Sequence, residues 1–142
     1  MNFDKIRKEL RDHGYIDERN VVCHSYANHS DSISFGPILK VTHHLQEGLP
    51  KYMLISLCKD QIIISKAKLF GGFKEYFCTI DLKNLEFVAK KESMITSFEF
   101  KVFTEDGNQG SFVINTSASE DTYYAEKLVK LIQEWKKEHS EN

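Results

Sequence analysis

The chain has 142 residues, 41% hydrophobic and 28% charged, with a formal net charge of −2. That length fits one domain, whose folding buries roughly 68–70% of the unfolded surface, so a core forms without covalent staples. The charge balance argues against wholesale nucleic-acid binding, which needs a cationic excess to displace counterions.

The first residues, Met1 to Leu10, are charged throughout and lack the apolar core of a signal peptide. No stretch approaches the ~20 apolar residues that span a bilayer. Three cysteines, Cys23, Cys58 and Cys78, are an odd and widely spaced set. A secreted disulfide framework is usually even and denser, so the expectation is a reduced, cytoplasmic protein.

In chain order, Phe3, Ile6 and Leu10 recur at helical spacing with Lys5, Arg7, Lys8 and Arg11 between them. Asn2 or Asp4 is placed to cap this short amphipathic helix and Gly14 to stop it. Residues 15–50 carry weaker signals. Val21-Val22-Cys23 suggests a short strand, residues 28–32 are turn formers, and Leu39, Val41 and His43 alternate before a break at Gly48-Leu49-Pro50.

From Tyr52 the pattern sharpens. Met53–Cys58 and Gln61–Ser65 are strand-like runs joined by Lys59-Asp60, a hairpin signature. Leu69–Phe73 forms the next connection. Tyr76, Cys78, Ile80 and Leu82 then alternate with Glu75, Phe77, Thr79 and Asp81, as on a half-buried strand. Leu85, Phe87 and Ala89 follow, then Phe98, Phe100 and Val102, a turn over residues 105–110, and Phe112-Val113-Ile114. The period next changes to 3.6. Thr116, Ser117 or Ser119 is placed to cap a helix with Tyr124, Leu128, Leu131, Ile132 and Trp135 on one face. Short strands followed by one amphipathic helix predict an α+β fold.

The hairpin MLISLCKDQIIISKAKLFGG, the step YFCTIDLKNLEFV, the hairpin FEFKVFTEDGNQGSFVIN and the helix YYAEKLVKLIQEW together resemble the bacterial pleckstrin-homology-like domains. They are broadly similar also to the short lipid-binding domains found beside membrane enzymes. The resemblance spans about eighty-five residues, from Tyr52 to Trp135, in patterns of hydrophobicity and turns. It implies a partly open antiparallel barrel of about seven strands with a C-terminal helix capping one end. It also implies a non-enzymatic role in interaction or oligomerisation, without a cofactor.

Residues 1–50 are expected to form an N-terminal helix and extension packing on the same domain as the barrel of residues 51–139. The helix's apolar face has no obvious place in a barrel already capped, which suggests a contribution to a subunit interface.

Among candidate sites, Lys66, Lys68 and Lys74 surround Leu69, Phe70 and Phe73 on a Gly71-Gly72 turn. A mobile apolar tip flanked by cations suits docking on an anionic bilayer, where each lysine contributes about 1 kcal/mol. The alternative has Phe70 and Phe73 tucked into the barrel end while the lysines face water. His24, His29, His43 and His44 with Cys23 lack the paired spacing of a zinc site. No nucleophile elbow and no phosphate-binding glycine loop is present. The expected function is an interaction or assembly module with a protein partner or a second copy. The alternative is a peripheral membrane module.

Overall fold

The computed structural model describes residues 2–26, 51–103, 107 and 109–140. The order is a helix α1 (Phe3–Asp12), strands β1 (Val22–Tyr26), β2 (Tyr52–Cys58), β3 (Gln61–Ala67) and β4 (Phe73–Asp81), a single 3-10 turn (Leu82–Asn84), strands β5 (Leu85–Lys91), β6 (Thr96–Phe103) and β7 (Gln109–Thr116), and a long helix α2 (Ser119–Glu138). All pairings are antiparallel, in two sheets ordered β1-β2-β3-β4 and β5-β6-β7. The seven strands, partly open barrel, C-terminal helix and short N-terminal helix agree with the fold class expected from sequence.

Among the described residues no ladder joins the two sheets. At the junction of β1 and β7, Ser25 Oγ accepts the Asn115 backbone N–H at 2.9 Å, and Asn115 Nδ2 donates to the Tyr26 carbonyl at 3.1 Å. Ser97 Oγ completes the network by donating to Asn115 Oδ1 at 2.8 Å. These buried polar groups are satisfied by one another, as interior polar groups must be. At the other junction the 3-10 turn carries the chain from β4 into β5.

Inside the barrel, Ile55, Leu57, Ile62, Ile64, Phe98, Phe100, Phe112 and Ile114 form one core with Leu128 and Ile132 of α2. The helix is tied down near its C-terminal end, where Trp135 Nε1 donates to Asp60 Oδ1 at 2.8 Å. Its start differs from the sequence expectation. Ala118 is the cap residue and makes no side-chain cap bond. Thr116 is the last residue of β7, and its hydroxyl shares a hydrogen bond of 2.7 Å with that of Thr122.

Strand β4 also departs from simple alternation. Ile64 pairs with Cys78 but Ser65 pairs with Tyr76, so Phe77 is the extra residue of a bulge. The bulge reverses the phase: Phe77 is fully buried in the core and Tyr76 lies on the surface. A two-residue period read along the chain places Tyr76 with Cys78 and misses this.

Helix α1 begins with Asn2, whose Oδ1 accepts the Lys5 backbone N–H at 3.1 Å, and is followed by Gly14 at φ +75°. Its apolar face is not spare. Phe3, Ile6 and Leu10 are buried with Ile16 against Val22, Leu54 and Ala67, residues of β1, β2 and β3 whose neighbours Cys23, Met53 and Ile55 point into the barrel. The sheet is therefore covered on both faces, and the observation that suggested a subunit interface for α1 falls away. The expected turn over residues 28–32, the strand at Leu39–His43, the Gly48–Pro50 break and half of the turn at residues 105–110 lie outside the described residues.

Candidate functional site

The connection between β3 and β4 is a closed turn. Ala67 pairs with Phe73, Lys68 N–H donates to the Gly72 carbonyl at 2.7 Å, and Gly71 N–H donates to the Lys68 carbonyl at 2.8 Å. Gly71 sits at φ +97°, a backbone region costly for residues bearing a Cβ. The turn holds Leu69 and Phe70 at its apex, 62% and 86% exposed.

The six residues singled out in the sequence divide into two groups. Lys68, Leu69, Phe70 and Lys74 are exposed and form the tip. Lys66 and Phe73 belong to the scaffold: Lys66 Nζ lies 3.1 Å from Glu75 Oε1, and the Phe73 ring centroid is 4.6 Å from that of His13. Neither ring is tucked into the barrel end: Phe70 is exposed, and Phe73 is half-buried against the outer cluster under α1. The division follows from α1, whose C-terminal end reaches one ring and leaves the other.

A second apolar side chain, Met94, is 97% exposed in the turn between β5 and β6. Its signal in the sequence was a lone methionine after the polar stretch Lys90-Lys91-Glu92-Ser93.

The thiols are poorly suited to nucleophilic work. Burial pushes the Cys78 thiol up to about 12, and it pushes Cys23, with the Asp121 carboxylate nearby, higher still. Cys23 and His24 project to opposite faces of β1. Cys23 lies in the barrel core, whereas the His24 ring stacks on Tyr52 at 5.9 Å and its Nδ1 stands 3.9 Å from Asp121 Oδ2. Among the described residues no three His, Cys, Asp or Glu side chains converge as metal ligands do. His29, His43 and His44 lie outside the described residues.

At the opposite end of the barrel, a cleft of about 400 Å³ is lined by Asp60, Gln61, Asp81 and Trp135. Lys59 and Lys83 complete the lining, and four of its polar groups bond in pairs, Trp135 to Asp60 and Gln61 to Asp81 at 3.0 Å. Comparison with protein-family models, with curated proteins and with solved structures returned no match. Among the described residues no helix is long and apolar enough to cross a membrane.

Proposed function

We propose that this protein is a non-enzymatic interaction module of the pleckstrin-homology-like kind, and that it docks on anionic membrane surfaces through the β3–β4 tip. The observation that carries the reading is the exposure of Phe70 beside Leu69 on a closed turn, with Lys68 and Lys74 at its flanks. Burying a leucine or phenylalanine contributes about 1.5–3 kcal/mol each, and each lysine near an anionic surface about 1 kcal/mol. The sum is on the scale of one lipid chain, which gives reversible attachment. Because the cationic part acts within a Debye length, the attachment weakens with salt. The raised pKa of the buried Cys23 and Cys78 thiols supports a role without thiolate chemistry.

The test is flotation with phosphatidylcholine–phosphatidylserine vesicles and with pure phosphatidylcholine vesicles. Wild-type protein is expected to float with the mixed vesicles at low salt and to sediment with the neutral ones. Phe70→Ser is expected to lower partitioning about tenfold, the equivalent of 1.4 kcal/mol, and a Lys68→Gln/Lys74→Gln variant to abolish the preference for phosphatidylserine. Protein that never floats would overturn the membrane occupant. If light scattering then showed a concentration-dependent dimer lost in Phe70→Ser, the tip would belong to a second copy of the chain.

A further inference from the structure

Away from the barrel loops, the polar face of α1, the turn over residues 17–20 and the second turn of α2 enclose a cleft of about 660 Å³. Five basic side chains and two carboxylates line it, in a chain whose overall charge is negative.

Asn20 organises this cleft. It sits at φ +56°, in the left-handed region that asparagine tolerates better than most residues, and its N–H is bonded to the Asp17 carbonyl at 3.1 Å. In that conformation its backbone carbonyl accepts Arg7 Nε at 3.1 Å while its side-chain Oδ1 accepts Arg11 Nη2 at 2.9 Å. One residue thus holds two guanidinium groups a helical turn apart. Arg7 is fixed further by lying over the Tyr124 ring, 4.9 Å from its centroid.

Two like charges held this close repel unless an anion joins them. The local carboxylates compensate only in part: Asp4 takes Arg7 at 3.2 Å, Asp12 takes Lys8 at 3.5 Å, and Asp17 takes Arg19 through paired hydrogen bonds. Arg11, and Lys127 reaching in from α2, have no carboxylate partner among the described residues. Each guanidinium carries five N–H donors in a planar fork; Asn20 uses one from each, and Asp4 takes one more from Arg7. The remaining donors match the spacing of phosphate oxygens.

We propose that the cleft binds a phosphate-bearing small molecule, with Arg11 and Lys127 contacting the phosphate and Arg7 holding the charge in place. Its volume falls within the roughly 300–1,000 Å³ of small-molecule sites. Tyr124 supplies an aromatic wall beside the cations.

The test titrates pyrophosphate into the full chain at low ionic strength, read by calorimetry and by backbone amide shifts. Saturable binding is expected, with the largest shifts in residues 7–12, at Asn20 and over residues 124–128. Arg11→Gln/Lys127→Gln removes two exposed charges and is expected to weaken binding at least tenfold without moving the thermal midpoint. Equal binding by wild type and this variant, or no saturable binding to wild type, would overturn the proposal. A glutamate-rich peptide binding more tightly than pyrophosphate would overturn it in favour of an acidic protein partner. Loss of vesicle flotation in the same variant, with no pyrophosphate binding to wild type, would assign the cleft to a lipid headgroup instead.

Discussion

Leu10→Ala is expected to lower the unfolding free energy by about 2–5 kcal/mol, the usual cost of emptying a buried leucine site. Leu10 is fully buried among Ile6, Ile16, Val22 and Leu54, so nothing nearby collapses easily into the space. The loss is a large share of a total that for domains of this size is about 5–15 kcal/mol. Helix α1 has ten residues, too few to be helical alone in water, so its order comes from docking on β1, β2 and β3. Urea titration followed by circular dichroism measures the effect. Removing residues 1–13 is expected to unfold the domain, because it strips the cover from Val22 and Leu54. A subunit-interface role would instead leave a stable, lighter species. A Leu10→Ala cost below about 1 kcal/mol would mean that the helix is only loosely held, since a buried leucine site costs at least twice that.

The second large effect depends on pH. Asp121, in the first turn of α2, has its carboxyl raised to about 6, mainly by burial and further by the neighbouring Glu120. Among the described residues its Oδ1 has no hydrogen-bond partner. The group facing it, His24, is itself pushed down by burial, so a neutral imidazole rather than a cation stands opposite the carboxylate at neutral pH. The positive end of α2 offsets part of the cost of ionising Asp121, by up to about 1 kcal/mol.

A carboxyl whose folded pKa lies above its unfolded value costs nothing at pH below both. It destabilises progressively as pH rises from the unfolded value toward the folded one, and the full penalty persists above. For a carboxyl raised from 3.8 to about 6, that penalty is at most about 3 kcal/mol, and solvent screening of a group that is only partly buried brings it to about 2 kcal/mol. Asp121→Asn keeps the shape and removes the ionisation. It is therefore expected to match wild type near pH 3 and to exceed it by about 2 kcal/mol at pH 7.5. Denaturant midpoints at the two pH values decide the matter. A stability difference that does not change with pH would show that burial of the charge is not what controls it.

The core of this domain was readable from local periodicity. Alternation every second residue marked Phe98, Phe100, Val102, Phe112 and Ile114, and the shift to helical spacing marked Leu128 and Ile132, because facing the core is imposed on each strand or helix separately. The Lys59-Asp60 hairpin was equally local, and the apolar loop at Leu69-Phe70 stood out as a break between two strands.

Other features were decided by residues far apart in the chain. Phe77 replaces Tyr76 in the core only because β4 bulges against β3, and no alternation along β4 encodes where its partner slips. Phe73 is covered and Phe70 is not because α1, some sixty positions earlier, ends over one ring and not the other. Arg7 and Arg11 read as solvated charges on an amphipathic helix until Asn20 is seen to clasp both. A linear pattern records which side of an element is apolar. Which neighbour meets that side, and which polar groups are brought within hydrogen-bond reach, is set only when the elements dock.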